Sequence, residues 1–267
     1  MTHVLLVAHG SRHPRARETV ELLADAVRRR LPGRVVTTCA LDVELPTPRA
    51  ALLDLARVGV RQVRVVPLLF ASGHHIRVDL PRQVAAAAVA ADWVATVAEP
   101  TFATVAGPLI DAGDPYSIAL LLDALDERTG FAVSRADAFV LLAAGSSDPT
   151  ARAAVAALAQ SWGHRHGVRA MAAYASGPGP TPSEAVVVLR AAGATRVVAG
   201  SLFLAPGLLP TRAEHAATSA GATVSPVLGA ALPLIDLIVR RATAQPAPSA
   251  AQHLRGDHRE GWVWVSA

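Results

Sequence analysis

The sequence contains no lysine and a single cysteine, Cys39, and aromatic residues make up only 4% of its 267 residues. The lone cysteine excludes an internal disulfide and every cysteine-rich zinc or iron–sulfur site, so any metal has to be met by histidine and carboxylate. The absence of lysine, for which GC-rich codon usage is a sufficient explanation, excludes a P-loop lysine, Schiff-base chemistry and a lysine general base.

Long hydrophobic runs and long runs of one charge are also missing. Apolar stretches such as 84–94 are interrupted within about a dozen residues, whereas a transmembrane helix needs roughly 20. No secretory leader precedes the first apolar segment, so we expect a cytoplasmic protein. The net charge is +4 and the longest basic run is Arg28-Arg29-Arg30, which favours a polyanionic small molecule over a nucleic acid or a membrane as the partner.

An internal repeat organises the chain. The segment from Val4 to Pro14 resembles the segment from Val140 to Pro149, with Gly10 paired to Gly145. Pro46-Thr47-Pro48 matches Pro180-Thr181-Pro182 and Gly73 matches Gly207, both at an offset of 134. Pro108-Leu109-Ile110-Asp111 matches Pro233-Leu234-Ile235-Asp236 at an offset of 125, so the first half carries a few extra residues late in its sequence. The chain is therefore predicted to hold two tandem domains, 1–132 and 133–244, followed by a tail at 245–267.

Each half alternates short Val- and Leu-rich segments with amphipathic ones, which is typical of an α/β domain with a four-stranded parallel sheet flanked by helices. We expect strands near 3–8, 34–42, 62–70 and 93–98, and near 138–143, 168–174, 195–204 and 222–226. We expect helices near 14–30, 47–58, 78–90 and 115–128, and near 149–166, 182–192, 209–219 and 231–243. The tail is predicted to be either disordered or a strand-like addition.

Three residues with side chains that can bind a metal follow neighbouring strands of the first half: His9, Glu44 and His75. Because ligands of open parallel sheets bind beyond the carboxyl ends of the strands, these side chains are predicted to form a site for a divalent first-row metal. Each residue alone has a plainer interpretation, as a partly exposed histidine or a solvated loop carboxylate. The repeat favours function, because the second half carries Ala144, Pro178 and Leu209 at these three positions while it keeps the Gly and Pro framework.

Residues around these three complete the predicted site. Gly10, Ser11 and Arg12 open a helix, where backbone N–H groups and a guanidinium can hold an anion. Because His74 and His75 are consecutive, we expect only one of them to face the site. Asp79 has two open interpretations, as the cap of the following helix or as the acceptor that orients His75.

Two motifs together resemble the CbiX/SirB family of class II tetrapyrrole chelatases. One is Ala8-His9-Gly10-Ser11-Arg12, and the other is the Gly-x-His-x-x-x-Asp-x-Pro pattern that runs from Gly73 to Pro81. The resemblance covers the first half strongly and the second half as a degenerate copy. It implies two tandem flavodoxin-like domains of chelatase type, related by a pseudo-two-fold axis, with one active half.

The family resemblance implies insertion of a divalent metal into sirohydrochlorin, in siroheme or cobalamin biosynthesis. The metal is then a substrate, with Fe²⁺ expected first, Co²⁺ next and Ni²⁺ also open, and no organic cofactor is expected. His9 and His75 would be metal-binding and catalytic, Glu44 matches a carboxylate that some members use beside them, and either Glu44 or a histidine would accept the pyrrole protons. Arg12 and Arg77, with Arg82 open, are expected to meet the carboxylates of the substrate in a cleft between the halves.

Two other functions stay open on the sequence. The chain could be a carrier that binds a tetrapyrrole or a metal without turnover. The chelatase and the carrier alike are expected to be a monomer whose two halves form an internal pseudo-dimer. The chain could also be a hydrolase that uses His9 as a phosphohistidine nucleophile, although such enzymes carry Arg where this chain has Ala8.

Overall fold

The computed structural model describes residues 3–91, 102–244 and 264–265. It contains two parallel sheets flanked by helices, which confirms the predicted α/β class. The described residues form two compact units, one of 3–12, 21–91, 102–109, 238–244 and 264–265, the other of 13–20 and 110–237. These units follow spatial contacts and not the repeat, so the boundary near residue 132 stays a prediction.

The elements of the first repeat are β1 His3–Ala8, α1 Pro14–Arg30, β2 Val36–Ala40, α2 Pro48–Arg57, β3 Gln62–Pro67, a π-helical turn His75–Asp79, α3 Leu80–Ala90, β4 Phe102–Val105 and α4 Pro115–Thr129. A 3₁₀ helix, Gly130–Arg135, occupies the predicted junction between the halves. The second repeat follows as β5 Ala138–Ala143, α5 Pro149–His166, β6 Arg169–Tyr174, α6 Pro182–Ala191, β7 Val197–Ser201, α7 Leu208–Ser219, β8 Thr223–Val227 and α8 Leu232–Thr243, and a short strand, β9 Trp264–Val265, lies in the tail.

In the first sheet the strand order is β2-β1-β3-β4-β9, with every neighbouring pair parallel. All six residues of β1 are buried, as expected for a central strand covered on both faces. The chain moves from β1 to one side to form β2 and then crosses to the other side to form β3. The carboxyl ends of β1 and β3 therefore flank the point where the strand order reverses, which is where open α/β sheets bind ligands.

The second sheet repeats this topology, with the order β6-β5-β7-β8. Each sheet has its own apolar core on an equivalent face, with Leu5 and Val7 of β1 in one and Val140 and Leu142 of β5 in the other. The helix α4 contacts β7 and β8 of the second sheet. Helix α5 covers the same unit, where Trp162 is fully buried and stacks on Phe139 with ring centroids 4.0 Å apart.

Proline at the first turn helps to set the helix starts, since its fixed φ suits that turn and its missing N–H is not needed there. Thr47 before Pro48 accepts a hydrogen bond from the amide of Ala50. Thr181 before Pro182 does the same for Glu184, whose carboxylate accepts from the Thr181 amide in return. The Pro-Thr-Pro segments that the two halves share thus begin equivalent helices, α2 and α6.

Two expectations about strands need correction. The segment 93–98 lies outside the described residues, and the fourth described strand of the first repeat is Phe102–Val105. The first sheet also has five strands and not four, because β9 of the tail pairs with β4 through Thr104 and Val105. Of the two alternatives for the tail, residues 264–265 follow the strand-like one. Among the described residues, no helix combines the length and hydrophobicity needed to cross a membrane.

Candidate active site

The loop after β1 is shaped by a close approach of two backbone segments. Gly10 has a φ of 97°, and a Cβ on it would lie 1.8 Å from the carbonyl oxygen of Asp42. Only glycine can occupy this position, because L-residues with side chains rarely adopt such a φ and no room exists for one. The amide of Asp42 donates to the carbonyl oxygen of His9, which fixes His9 at the carboxyl end of β1.

The segment after β3 enters its helix through a π-helical turn, His75–Asp79. Its wider winding is shown by the amide of Leu80, which donates to the carbonyl oxygen of His75, five residues earlier. Single π turns are rare and occur frequently at functional sites. Here the turn carries His75 to the same sheet edge as His9.

The two histidines are in direct contact. Nε2 of His9 lies 3.2 Å from Nε2 of His75, and the rings are nearly perpendicular, at 84°. On its other side, His75 Nδ1 lies 2.8 Å from Oδ2 of Asp79. A carboxylate accepts hydrogen bonds, so it favours the His75 tautomer that carries its proton on Nδ1 and leaves a lone pair on Nε2.

This pair has the spacing of two ligands on one metal ion. Two imidazole nitrogens bound tetrahedrally at about 2.0–2.1 Å from a metal are about 3.3 Å apart. The observed separation of 3.2 Å therefore needs little change to admit a metal between the two Nε2 atoms.

The environment of His9 favours its neutral form. Partial burial and the adjacent His75 lower the pKa of His9, while a hydrogen bond with the Gly10 backbone and the carboxylate of Asp42 oppose that shift. A lowered pKa keeps the imidazole unprotonated at a lower pH, and neutral imidazole is the form that binds metals or accepts a proton.

Asp79 contacts His75 and makes no capping hydrogen bond to the following helix, although capping was one of its two predicted roles. Its second oxygen lies 3.6 Å from Nε2 of His74, whose side chain is 71% exposed. Both consecutive histidines are thus near Asp79, and His75 is the one that reaches His9.

Glu44 is placed on the loop after β2, next to the other predicted residues but engaged differently. Its Oε1 accepts a hydrogen bond of 2.9 Å from the amide of Ser11. That amide, predicted to hold an anionic group of a ligand, already has a carboxylate partner within the chain. Across the described residues, no three His, Cys, Asp or Glu side chains are gathered into a group that could hold a metal ion. The roles of Glu44 and Ser11 therefore stay predictions.

The predicted arginines lie on the surface near these loops. Arg12 follows Ser11, Arg77 lies in the π turn, and Arg82 lies in the first turn of α3, and all three are exposed. Exposure is what contact with a polycarboxylate requires, and their role in substrate binding stays a prediction.

Sequence reasoning missed two residues of the loop after β2. The carboxylate of Asp42 opposes the lowering of the pKa of His9. Val43 has a φ of 71°, in the left-handed region. The repeat carried a signal for Val43, because the second half has Gly177 at that position.

The match to a protein family covers most of both repeats. A model of the family described as CbiX matches residues 3–108 and 138–245. The chain belongs to the CbiX family. The candidate site lies in the first matched segment and the degenerate copy of it in the second.

Curated relatives match less than a third of the chain. A "Sirohydrochlorin cobaltochelatase" of Methanococcoides burtonii is 36% identical over 78 residues, which are 29% of this chain and 60% of the relative. The chain thus matches about three fifths of the length of that relative.

Solved chelatase structures resemble the chain over its two repeats. The sirohydrochlorin chelatase SirB of Bacillus subtilis subspecies spizizenii, in complex with cobalt, has a TM-score of 0.71 at 19% identity, with 90% of this chain and 93% of that chain covered. SirB of Bacillus subtilis with Fe³⁺ has a TM-score of 0.72 at 18% identity, with the same coverage. These likenesses show a shared fold.

Proposed function

We propose that the chain is a sirohydrochlorin chelatase, which inserts a divalent metal into sirohydrochlorin in siroheme or cobalamin biosynthesis. The observation that carries the proposal is the contact between His9 and His75, 3.2 Å apart at the carboxyl ends of neighbouring strands and backed by Asp79. Membership of the CbiX family and the name of the curated relative support sirohydrochlorin as the substrate.

The site residues divide the work of the reaction. The Nε2 atoms of His9 and His75 take the incoming metal, which enters as a substrate. As the metal replaces two pyrrole N–H protons, those protons pass to a neutral imidazole or to the carboxylate of Glu44. Arg12 and Arg77 bind carboxylates on the rim of the substrate, since guanidinium groups pair well with carboxylates.

Fe²⁺ is our first choice of metal, with Co²⁺ next and Ni²⁺ after it. The relatives support both leading choices, because the curated relative is named for cobalt and the SirB structures hold cobalt or Fe³⁺. The proposal includes a cytoplasmic monomer without nucleic-acid or membrane partners.

The test is anaerobic absorbance spectroscopy of sirohydrochlorin with each metal, in which the rate with protein is compared with the spontaneous rate. We expect wild-type protein to accelerate metallation, and His9→Ala and His75→Ala to reduce the accelerated rate by about 100-fold or more. His215→Ala, which removes an exposed histidine of α7, is the matched control and should leave the rate unchanged.

The same experiment separates the enzyme from the carrier. Tight binding of sirohydrochlorin with no acceleration by the wild type would identify a carrier. Relative rates with Fe²⁺, Co²⁺ and Ni²⁺ test the order of preference.

A further inference from the structure

Val43 is held in a backbone conformation that suits glycine. Its φ is 71°, and it is the one residue other than glycine with a positive φ in the described part of the chain. The left-handed region costs an L-residue about 1–2 kcal/mol, and a β-branched side chain is especially unfavourable there.

The second repeat shows the same loop without this side chain. Gly177 has a φ of 77° and follows Ser176, just as Val43 follows Asp42. The amide of Asp42 donates to the carbonyl oxygen of His9, and the amide of Ser176 donates to the carbonyl oxygen of Ala144. His9 and Ala144 each follow the first strand of their repeat. Glycine therefore meets the backbone requirement of this loop, and a valine has to be explained by its side chain.

Packing within the fold does not explain that side chain. Val43 is 49% exposed, and Leu45, two residues further on, is 78% exposed. The atoms nearest to a Cβ at Gly177 would be backbone atoms of Ser146, at 3.8 Å or more, so the loop does not close tightly over a core at this position. Exposed apolar side chains on a strained loop gain little in the free protein, which indicates that they act on a ligand.

The position of the loop indicates which ligand. Val43 and Leu45 flank Glu44, whose carboxylate accepts from the amide of Ser11, two residues after His9. A tetrapyrrole has an apolar ring face and a rim of carboxylates, so a site for it needs apolar contacts beside its metal-binding groups as well as arginines.

We infer that Val43 and Leu45 form an apolar contact for the ring face of the tetrapyrrole beside His9, and that this contact is the reason for valine at a glycine position. The inference rests on the proposed function, since it names the residues that would hold the macrocycle of that substrate. It assigns Val43 a role in binding and no role in metal capture.

The test uses Val43→Gly and Val43→Asn, because glycine and asparagine both tolerate the left-handed region and should keep the loop. Metal-free protein is titrated with metal-free sirohydrochlorin, and binding is followed by the fluorescence of the tetrapyrrole. We expect each variant to raise the Kd by about 10-fold, the effect of losing one apolar contact of this size. The affinity for Co²⁺ alone, measured by calorimetry, should be unchanged.

The matched control is Val58→Asn, which replaces a valine that is 76% exposed at the end of α2. Its Kd for sirohydrochlorin should equal that of the wild type. Unchanged binding in both Val43 variants overturns the inference, and so does a parallel loss of Co²⁺ affinity, which would mean that Val43 acts by placing Glu44. Failure of the wild type to bind sirohydrochlorin would instead overturn the proposed function.

Discussion

The loops that follow β1 and β5 have the same backbone and different side chains. Gly10 and Gly145 have φ values of 97° and 99°, and a Cβ on either would lie 1.8 Å from a carbonyl oxygen of the neighbouring loop. Immediately before these glycines stand His9 in the first copy and Ala144 in the second. The glycine is thus a requirement of the fold in both copies, whereas the histidine is present in one copy and serves no common structural need.

The second copy uses its loops for internal contacts. Tyr174, at the end of β6, donates its hydroxyl to the carbonyl oxygen of Arg152, whose guanidinium donates to the carbonyl oxygens of Ser146 and Ser147. The first copy has the small residue Ala40 where β6 ends in Tyr174. Side chains of Tyr174 and Arg152 therefore hold this loop cluster in the second repeat, whereas in the first repeat Glu44 holds the amide of Ser11.

The segments that lead from β3 and from β7 into the following helix differ in length by one residue. Between Gly73 and the core residue Leu80 the first copy has one more residue than the second has between Gly207 and Ala213. The π turn His75–Asp79 accommodates this extra residue, since a π turn holds one residue more than an α turn. The insertion lies where the first copy carries His75, so it accompanies the candidate site.

The largest expected effect tests the shared framework. Gly10→Ala and Gly145→Ala should each lower the free energy of unfolding by about 4 kcal/mol or more, because the added Cβ overlaps a carbonyl oxygen. Urea denaturation followed by circular dichroism measures this, and Gly59→Ala, with no atom within 4 Å of its Cβ, is the control for a positive φ alone. A well-tolerated Gly145→Ala would show that the two loops are not held in the same way.

A smaller effect is expected from Asp79, the hydrogen-bond partner of His75 in the first copy. Asp79→Asn should reduce the rate of metal insertion by about 10- to 100-fold, because the amide holds the His75 ring less firmly and no longer favours one tautomer. The rate and its pH profile should both change, while the urea midpoint stays near that of the wild type. An unchanged pH profile would contradict the orienting role of Asp79.

A third effect tests the strain at the position of Val43. Gly177→Ala should destabilise the protein by about 1–2 kcal/mol, since the Cβ finds room but the φ of 77° does not suit alanine. The urea midpoint measures this loss. The Val43→Gly variant supplies the reverse change, and its midpoint should not fall below that of the wild type. Equal destabilisation by both changes would mean that the two loops differ in conformation.

Much of the fold followed from the sequence because the repeat and the alternation of strands and helices are local patterns. The predicted bounds of β1, α1, β5 and α5 agree with the structure. The strand Phe102–Val105 did not follow, because the expected fourth strand was assigned to the apolar segment at 93–98, which lies outside the described residues. The strand β9 depends on a contact with a residue far away in the sequence, which no local pattern reports.

The candidate site was predictable in its residues and not in their contacts. Strand-end positions placed His9 and His75 at one sheet edge, and the structure brings them together. The π turn and the left-handed Val43 were not predicted, because both are backbone choices that the surrounding fold imposes against local preference. Glu44 was grouped with the histidines, but its hydrogen bond to Ser11 depends on loop geometry that spacing alone does not give.

The smallest effect concerns the first strands of the two sheets. His3 in β1 is buried with Nε2 2.9 Å from Oγ1 of Thr37, whereas β5 begins with Ala138. Burial lowers the pKa of His3 from 6.5, so the unfolded chain binds more protons than the folded one as the pH falls below that value. The stability that depends on neutral His3 is therefore complete above about pH 6.5 and decreases in more acidic solution.

His3→Ala should remove this decrease and make the first sheet resemble the second. The pH dependence, and not the absolute stability, is the informative quantity, because the substitution also removes packing. We expect the wild type to lose at most about 0.8 kcal/mol more than His3→Ala between pH 8 and pH 6, as urea midpoints at the two values would show. His215→Ala, at an exposed position, should follow the wild type. Parallel curves for the wild type and His3→Ala would mean that His3 is not held neutral, since protonation would then occur equally in the folded and unfolded chains.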